Sequence, residues 1–248
     1  MSDVSAQADG SLRFAIMLLR PDGDSVIAIG QASHAWVSGQ MARAWRPRPE
    51  PYEEICLAAE QHDVGMAMWD LAPALNPRTG LPQSFVEMDL GVHLGLWQAA
   101  PARLLSQSRF AALAVSLHGS KLYSLRDLDA MAVREAEQIR DYLSTQRVFQ
   151  SRLASELGLA PERLPELQQL MFTLDGLSLA VLAPWDPFEI AGITVRGLTL
   201  DPWPFAGPQL AVRCEGRRLH GTFDDEPALH AALDQAERVD VELVLRPA

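Results

Sequence analysis

The sequence feature that most constrains this chain is a histidine followed directly by an aspartate, His62-Asp63, near the end of a helix-like run that starts at Pro51. Adjacent residues on a helix lie about 100° apart around the axis, so one imidazole nitrogen and one carboxylate oxygen can reach a single cation from the same turn. A lone His-Asp pair arises easily by chance in 248 residues. Its weight comes from His34, His93, His118 and Asp175, each in a segment that reads as helix and each on that helix's apolar side. Imidazoles and carboxylates aimed at a core need a partner, and a metal ion would suit all of them at once. Such a chain has to bring several helices to one point.

The local patterns agree. Leu12 to Leu19 and Val26 to Ile29 flank Pro21-Asp22-Gly23-Asp24 and predict a β-hairpin. A helix then carries His34, Val37, Met41 and Trp45 on one side, and Pro47 and Pro49 stop it. The next opens at Pro51 with Glu53 and Glu54 at its positive end, and Ile55, Ala59, His62 and Met66 face inward. Asp70 to Asp89 is a long loop rich in proline and glycine; it is a natural lid, or equally a surface loop held by turn chemistry. Its Asn76, Arg78 and Thr79 are placed to reach a ligand. Further helices carry His93 with Trp97, His118 with Ala111 and Ala114, and Asp175 with Met171 and Leu174; between the last two lies a charged helical region from Arg126 to Leu157. After Trp185 the pattern turns to strands, at Ile190 to Leu200, Gln209 to Phe223 and Val239 to Leu245, with one helix at Pro227 to Glu237.

The expected fold is therefore mainly α: a helical bundle with an N-terminal β-hairpin and a small C-terminal β-rich appendage packed on it, in contact with the hairpin. Residues 1–10 read as a disordered lead-in, 11–30 as the hairpin, 31–185 as the metal-binding core and 186–248 as the appendage. With 21 basic against 32 acidic residues the net charge is -11, a poor match for nucleic acid or an anionic membrane. A small anionic substrate is compatible with that charge if metal ions set the local field. Two cysteines, Cys56 and Cys214, make neither a disulfide framework nor a zinc cluster. No apolar run is long enough to span a membrane, the start of the chain is too acidic for a secretory signal, and the expected location is the cytoplasm. Trp185, Trp203 and Phe205 could form a homodimer interface or anchor the appendage. His220 and His230 have no acidic or histidine companions on a helical stripe and are set aside.

The ordered pattern His, His-Asp, His, His, Asp, with Gln31-Ala-Ser-His34-Ala, His62-Asp63-Val-Gly65, Trp69-Asp70 and Ser116-Leu-His118-Gly119-Ser120, resembles the HD-domain superfamily. It is similar to a bacterial branch of that superfamily of unknown function, over about residues 12 to 185. The resemblance implies a helical bundle around a metal site. By position, His34, His62, Asp63 and Asp175 match the ligands of a first ion. His93 and His118 match the additional ligands of dinuclear members, in which Asp63 bridges both ions.

Mixed imidazole and carboxylate ligands suit transition metals better than calcium or magnesium. One or two ions are expected, iron or manganese ahead of zinc, nickel or cobalt. The first functional expectation is a hydrolase of phosphoric esters, a phosphohydrolase or phosphodiesterase acting on a small phosphorylated substrate with a metal-bound hydroxide as nucleophile. Asp63 and Lys121 are its candidate catalytic residues, and Lys121, Arg78 and Asn76 its candidate substrate contacts. Lys121, the only lysine in the chain, lies three positions after His118 and so points to roughly the same helix face, unless it merely faces solvent at the helix end. The alternatives are a mixed-valent di-iron oxygenase that cleaves a C–C or C–P bond, and a non-catalytic binding protein built on the same bundle.

Overall fold

The computed structural model describes residues 17–83 and 88–248. The lead-in, and the part of the first apolar run before Met17, lie outside the described residues, as do residues 84–87 of the long loop.

The chain opens with β1 (Leu18–Asp22) and β2 (Ser25–Ile29), an antiparallel hairpin whose Gly23 takes a φ of +64°. That left-handed backbone is what a two-residue turn between Asp22 and Ser25 demands. Six helices follow: α1 (Gln31–Ala44), α2 (Tyr52–Gln61), α3 (Leu90–Leu104), α4 (Arg109–Ser124), α5 (Val133–Glu156) and α6 (Arg163–Leu182). Two of the six starts carry side-chain caps of their own: Asp89 accepts from the Val92 N–H at α3, and Ser108 accepts from the Ala111 N–H at α4. Helix α4 is the axis of the assembly. It is buried from Phe110 to Gly119 and lies against α2, α3, α5 and α6. Helix α6 is likewise buried from Met171 to Leu182. Among the described residues no helix is long and apolar enough to cross a membrane.

The long loop between α2 and α3 contains a small hairpin, β3 (Leu75–Asn76) with β4 (Leu81–Pro82). It is anchored at the far end of the chain. The Phe223 N–H donates to the Gly80 carbonyl at 2.7 Å, and His230 Nε2 lies 2.9 Å from the Pro73 carbonyl.

After α6 come β5 (Phe188–Ile190), β6 (Ile193–Arg196), β7 (Thr199–Asp201), β8 (Leu210–His220), α7 (Glu226–Gln235) and β9 (Glu237–Pro247). These strands and the N-terminal hairpin form one sheet in the order β1-β2-β8-β9-β7-β6-β5. Every neighbouring pair in it is antiparallel except β7 and β9. The expectation of a mainly α bundle with a small β appendage is therefore wrong. The chain is 48% helix and 21% strand, a mixed α/β fold whose seven-stranded sheet curls into a half-barrel.

The physical reason lies in where the apolar faces go. Ile27 and Ile29 of β2, Val212 and Cys214 of β8, and Val241 and Leu243 of β9 share one continuous core with Val37 and Met41 of α1 and Leu174 and Leu177 of α6. The other side of the sheet holds a smaller core, in which Ala28 and Leu219 meet Leu229 and Leu233 of α7. Polar bonds fasten the same seam. Gln40 of α1 pairs its amide with the Arg213 backbone on β8, and Arg20 of β1 donates to the last carbonyls of α6 at Val181 and Leu182.

Candidate metal centre

Helices α1 and α6 each contribute one donor to a shared point. His34 sits in the first turn of α1, where its N–H bonds the Gly30 carbonyl. Gly30 offers α1 no side-chain cap, and the Asp70 carboxylate fills that role by accepting from the Ala32 N–H at 3.1 Å. A Cβ on residue 30 would lie 2.9 Å from the same carboxylate oxygen, so the close approach needs glycine. Across from it Asp175 sits in mid-α6, and Ser38 and Ser178 join the two helices by a 2.9 Å hydroxyl bond one turn further along.

His62 stands at the C-cap of α2, where the helix gives way to turns. Its Nδ1 donates to the Ala59 carbonyl at 2.8 Å. That bond occupies Nδ1 and aims Nε2 at the interior, as a ligand requires.

The donor atoms converge. His34 Nε2 is 3.0 Å from Asp175 Oδ1, His62 Nε2 is 3.3 Å from the same oxygen, and the two imidazole nitrogens are 3.2 Å apart. Bonds of about 2.1 Å to a common ion put donors about 3.0 Å apart in an octahedron and about 3.4 Å apart in a tetrahedron. The observed spacings fall in that range. His34, His62 and Asp175 therefore form a buried group that could hold a metal ion.

Two more of the expected residues border the group. Asp63 Oδ2 is 3.4 Å from His34 Nδ1 and 3.5 Å from His62 Nε2. His118 of α4 brings Nε2 to 3.5 Å from Asp175 Oδ2, too long for a good hydrogen bond. Among the described residues, neither of its buried ring nitrogens has a hydrogen-bond partner, nor does buried His34 Nδ1. Bare imidazole nitrogens in a core are costly, and a cation among them removes that cost.

The charges respond to this crowding. Burial works against a charged His62, but Asp63 and Asp175 outweigh it and raise the imidazole to about 9. Burial likewise opposes a charged Asp175, yet hydrogen bonds from His34 and His62 hold it well below the usual carboxylate range. Asp63 is pushed up by burial, and His118 is pushed down to about 3 by the same cause. The pocket thus attracts one positive charge, whether proton or metal.

The remaining expected residues lie apart from that point. His93 is buried in α3, where its Nε2 accepts from Trp97 Nε1–H at 3.1 Å and its Nδ1 is 2.5 Å from the Tyr123 hydroxyl. Lys121 is half-buried, with its ammonium 5.7 Å from the centre of the Phe172 ring. Asn76 and Arg78 belong to the β3–β4 hairpin, where the Asn76 side-chain carbonyl accepts from the Arg78 N–H at 2.9 Å. Sequence reasoning missed the roles of Asp70, Trp97 and Tyr123. Trp97 lies four residues after His93 on one helix, a spacing that could have shown the pair. Asp70 and Tyr123 reach their partners only through the fold.

This combination defines a class: a mixed α/β protein in which helices carry a buried His/His/Asp group, able to hold a metal, beneath a curled sheet. The chain belongs to the family described as "Protein of unknown function (DUF3891)", whose model matches residues 17–221. No curated protein and no solved structure matches it.

Proposed function

We propose that the protein is a metal-dependent hydrolase of phosphoric esters that acts on a small phosphorylated substrate. The observation that carries this reading is the convergence of His34, His62 and Asp175 on one buried point. The order of those residues along the chain, with Asp63 directly after His62, is the pattern that resembles HD-domain phosphohydrolases.

His34, His62 and Asp175 would hold the ion, and the bare nitrogens of His118 would close the shell beside them. A bound divalent transition metal, iron or manganese by preference, supplies Lewis acidity and lowers the pKa of water in its reach. The protein residues do the rest. Asp63 Oδ2, at the edge of the group, takes a proton from the attacking water. His62 keeps its Nε2 lone pair aimed inward through the bond from Nδ1 to Ala59. Lys121, one turn beyond His118 on α4, supplies a point charge for the substrate's phosphate, and Arg78 and Asn76 are the next candidates. An acidic chain of net charge -11 attracts an anion only through such local positive charge.

The test begins with metal content by mass spectrometry on untagged protein purified without chelator and then exposed to Mn(II). Bound metal in the wild type, at least tenfold weaker in Asp175→Ala, together with Mn(II)-dependent turnover of a simple aryl phosphoester, is the expected result. Metal without turnover across phosphomonoesters and phosphodiesters would sink the hydrolase reading. Equal metal in wild type and Asp175→Ala would sink the site.

A further inference from the structure

The six-residue pattern implies two ions, with His93 and His118 on the second. On the reading that an ion sits among His34, His62 and Asp175, we infer that this chain holds a single ion, and that His93 is a positioning residue which holds Trp97 against His118 instead of a ligand.

Both ring nitrogens of His93 already have work. Indole Nε1–H can only donate, so the 3.1 Å bond from Trp97 makes His93 Nε2 an acceptor. An accepting Nε2 carries no proton, so the ring's proton sits on Nδ1 and donates to the Tyr123 hydroxyl at 2.5 Å. Ligation through Nε2 would leave a buried indole N–H without a partner. Ligation through Nδ1 would break the short bond to Tyr123.

Trp97 cannot step aside to release the ring. It is buried against α4 at Gly119, where a Cβ would meet Trp97 Cε3 at 2.8 Å and the Tyr142 hydroxyl at 2.5 Å. Its ring lies between the two histidines, with centroids 6.4 Å from His93 and 5.5 Å from His118. Gly119 directly follows His118, so the chain of contacts Tyr123, His93, Trp97, His118 ends on the ring that borders Asp175. His118 thus joins the first group, while His93 stands one aromatic ring behind it.

The consequence is chemical. One ion suffices to polarise a phosphoryl oxygen and acidify water. Mixed-valent di-iron oxygenation needs two, so the oxygenase alternative falls with the second ion.

The experiment loads the full chain with excess Mn(II), removes free metal by gel filtration, and counts ions by mass spectrometry alongside an electron paramagnetic resonance spectrum. The expected result is one Mn(II) per chain with the six-line signal of an isolated ion. His93→Gln should keep one ion per chain, bound up to about tenfold more weakly because His118 loses its support. Trp97→Phe, which removes the indole donor and leaves His93 intact, should also keep one, and serves if His93→Gln does not fold. Two ions per chain with an exchange-coupled spectrum in the wild type would overturn the inference, most directly if either variant dropped to one. No ion in the wild type would overturn the metal reading itself, and this inference with it.

Discussion

Asp70 shows how one side chain can serve a site without belonging to it. Its carboxylate caps α1 in the turn that carries His34, and its other oxygen is buried with no hydrogen-bond partner among the described residues. Burial, reinforced by Asp63, raises the carboxyl to about 7 from an ordinary 3.8. The folded chain therefore holds a proton there that the unfolded chain releases near pH 3.8. Between the two values folding takes up that proton, so this contribution to stability is full below pH 3.8 and is lost as pH rises toward 7. Asp70→Asn keeps an oxygen for the Ala32 N–H and has no charge to bury. In metal-free protein its Tm should gain on the wild type by about a few degrees between pH 5 and pH 8, read by thermal denaturation at both. A difference between the two proteins that does not change with pH would mean that the Asp70 carboxylate is well hydrated. Asp175 makes the complementary case: a carboxylate pulled down by the imidazoles around it, and for that reason the ligand whose loss should cost most metal.

At the scale of elements, two glycines in neighbouring helices make opposite predictions. Glycine in a helix interior costs about 1 kcal/mol relative to alanine. Gly95 in α3 is exposed and, among the described residues, has nothing within 4 Å of an added Cβ, so Gly95→Ala should stabilise the protein by about 0.5–1 kcal/mol. Gly119 in α4 has Trp97 and Tyr142 pressed on it, so Gly119→Ala should destabilise by about 1–3 kcal/mol and loosen the wall behind His118. Urea denaturation of both variants checks the pair. Equal effects would mean that Trp97 and Tyr142 yield freely and that the packing beside His118 is soft. The role of α2 is different again. It ends at His62, and the turns that follow carry Asp63 past His34, so the His-Asp pair works at the end of a helix and not within one.

At the scale of the whole molecule, the helices that carry the candidate metal ligands pack against the sheet. Helix α1 packs on β8, and α6 packs on β1, β5 and β6. A chain cut after residue 185 keeps all six histidine and aspartate candidates but uncovers Val37, Met41, Leu174 and Leu177, each worth about 1.5–3 kcal/mol when buried. It should lose cooperative thermal unfolding and bind Mn(II) at least tenfold more weakly than the full chain. A truncated protein that melts sharply and binds metal as the full chain does would show that the helices stand alone.

The sequence by itself determined the helices and their faces, because burial imposes a 3.6-residue period that can be read locally. Each predicted helix is present, though α5 begins at Val133 and not at Arg126 and α2 ends at Gln61, before Met66, and a histidine or aspartate on an apolar stripe marked an inward polar group that had to find a partner. Period-two alternation likewise disclosed the strand at Val239 to Leu245, and glycine turns marked the one at Gln209 to Phe223. Only the tertiary structure decided which partners were found. Strand pairing between β2 and β8 joins residues nearly two hundred positions apart, and alternation says that a strand has a buried face without saying what covers it. A strand-rich tail thus read as an appendage when it supplies five of the seven strands of the protein's main sheet. In the same way, His34, His62 and Asp175 meet because α1, α2 and α6 cross at one point, while His93, on a stripe that reads no differently, is met by an indole and a phenol. The period of a helix tells which way a side chain points; the angle at which helices cross decides what it touches.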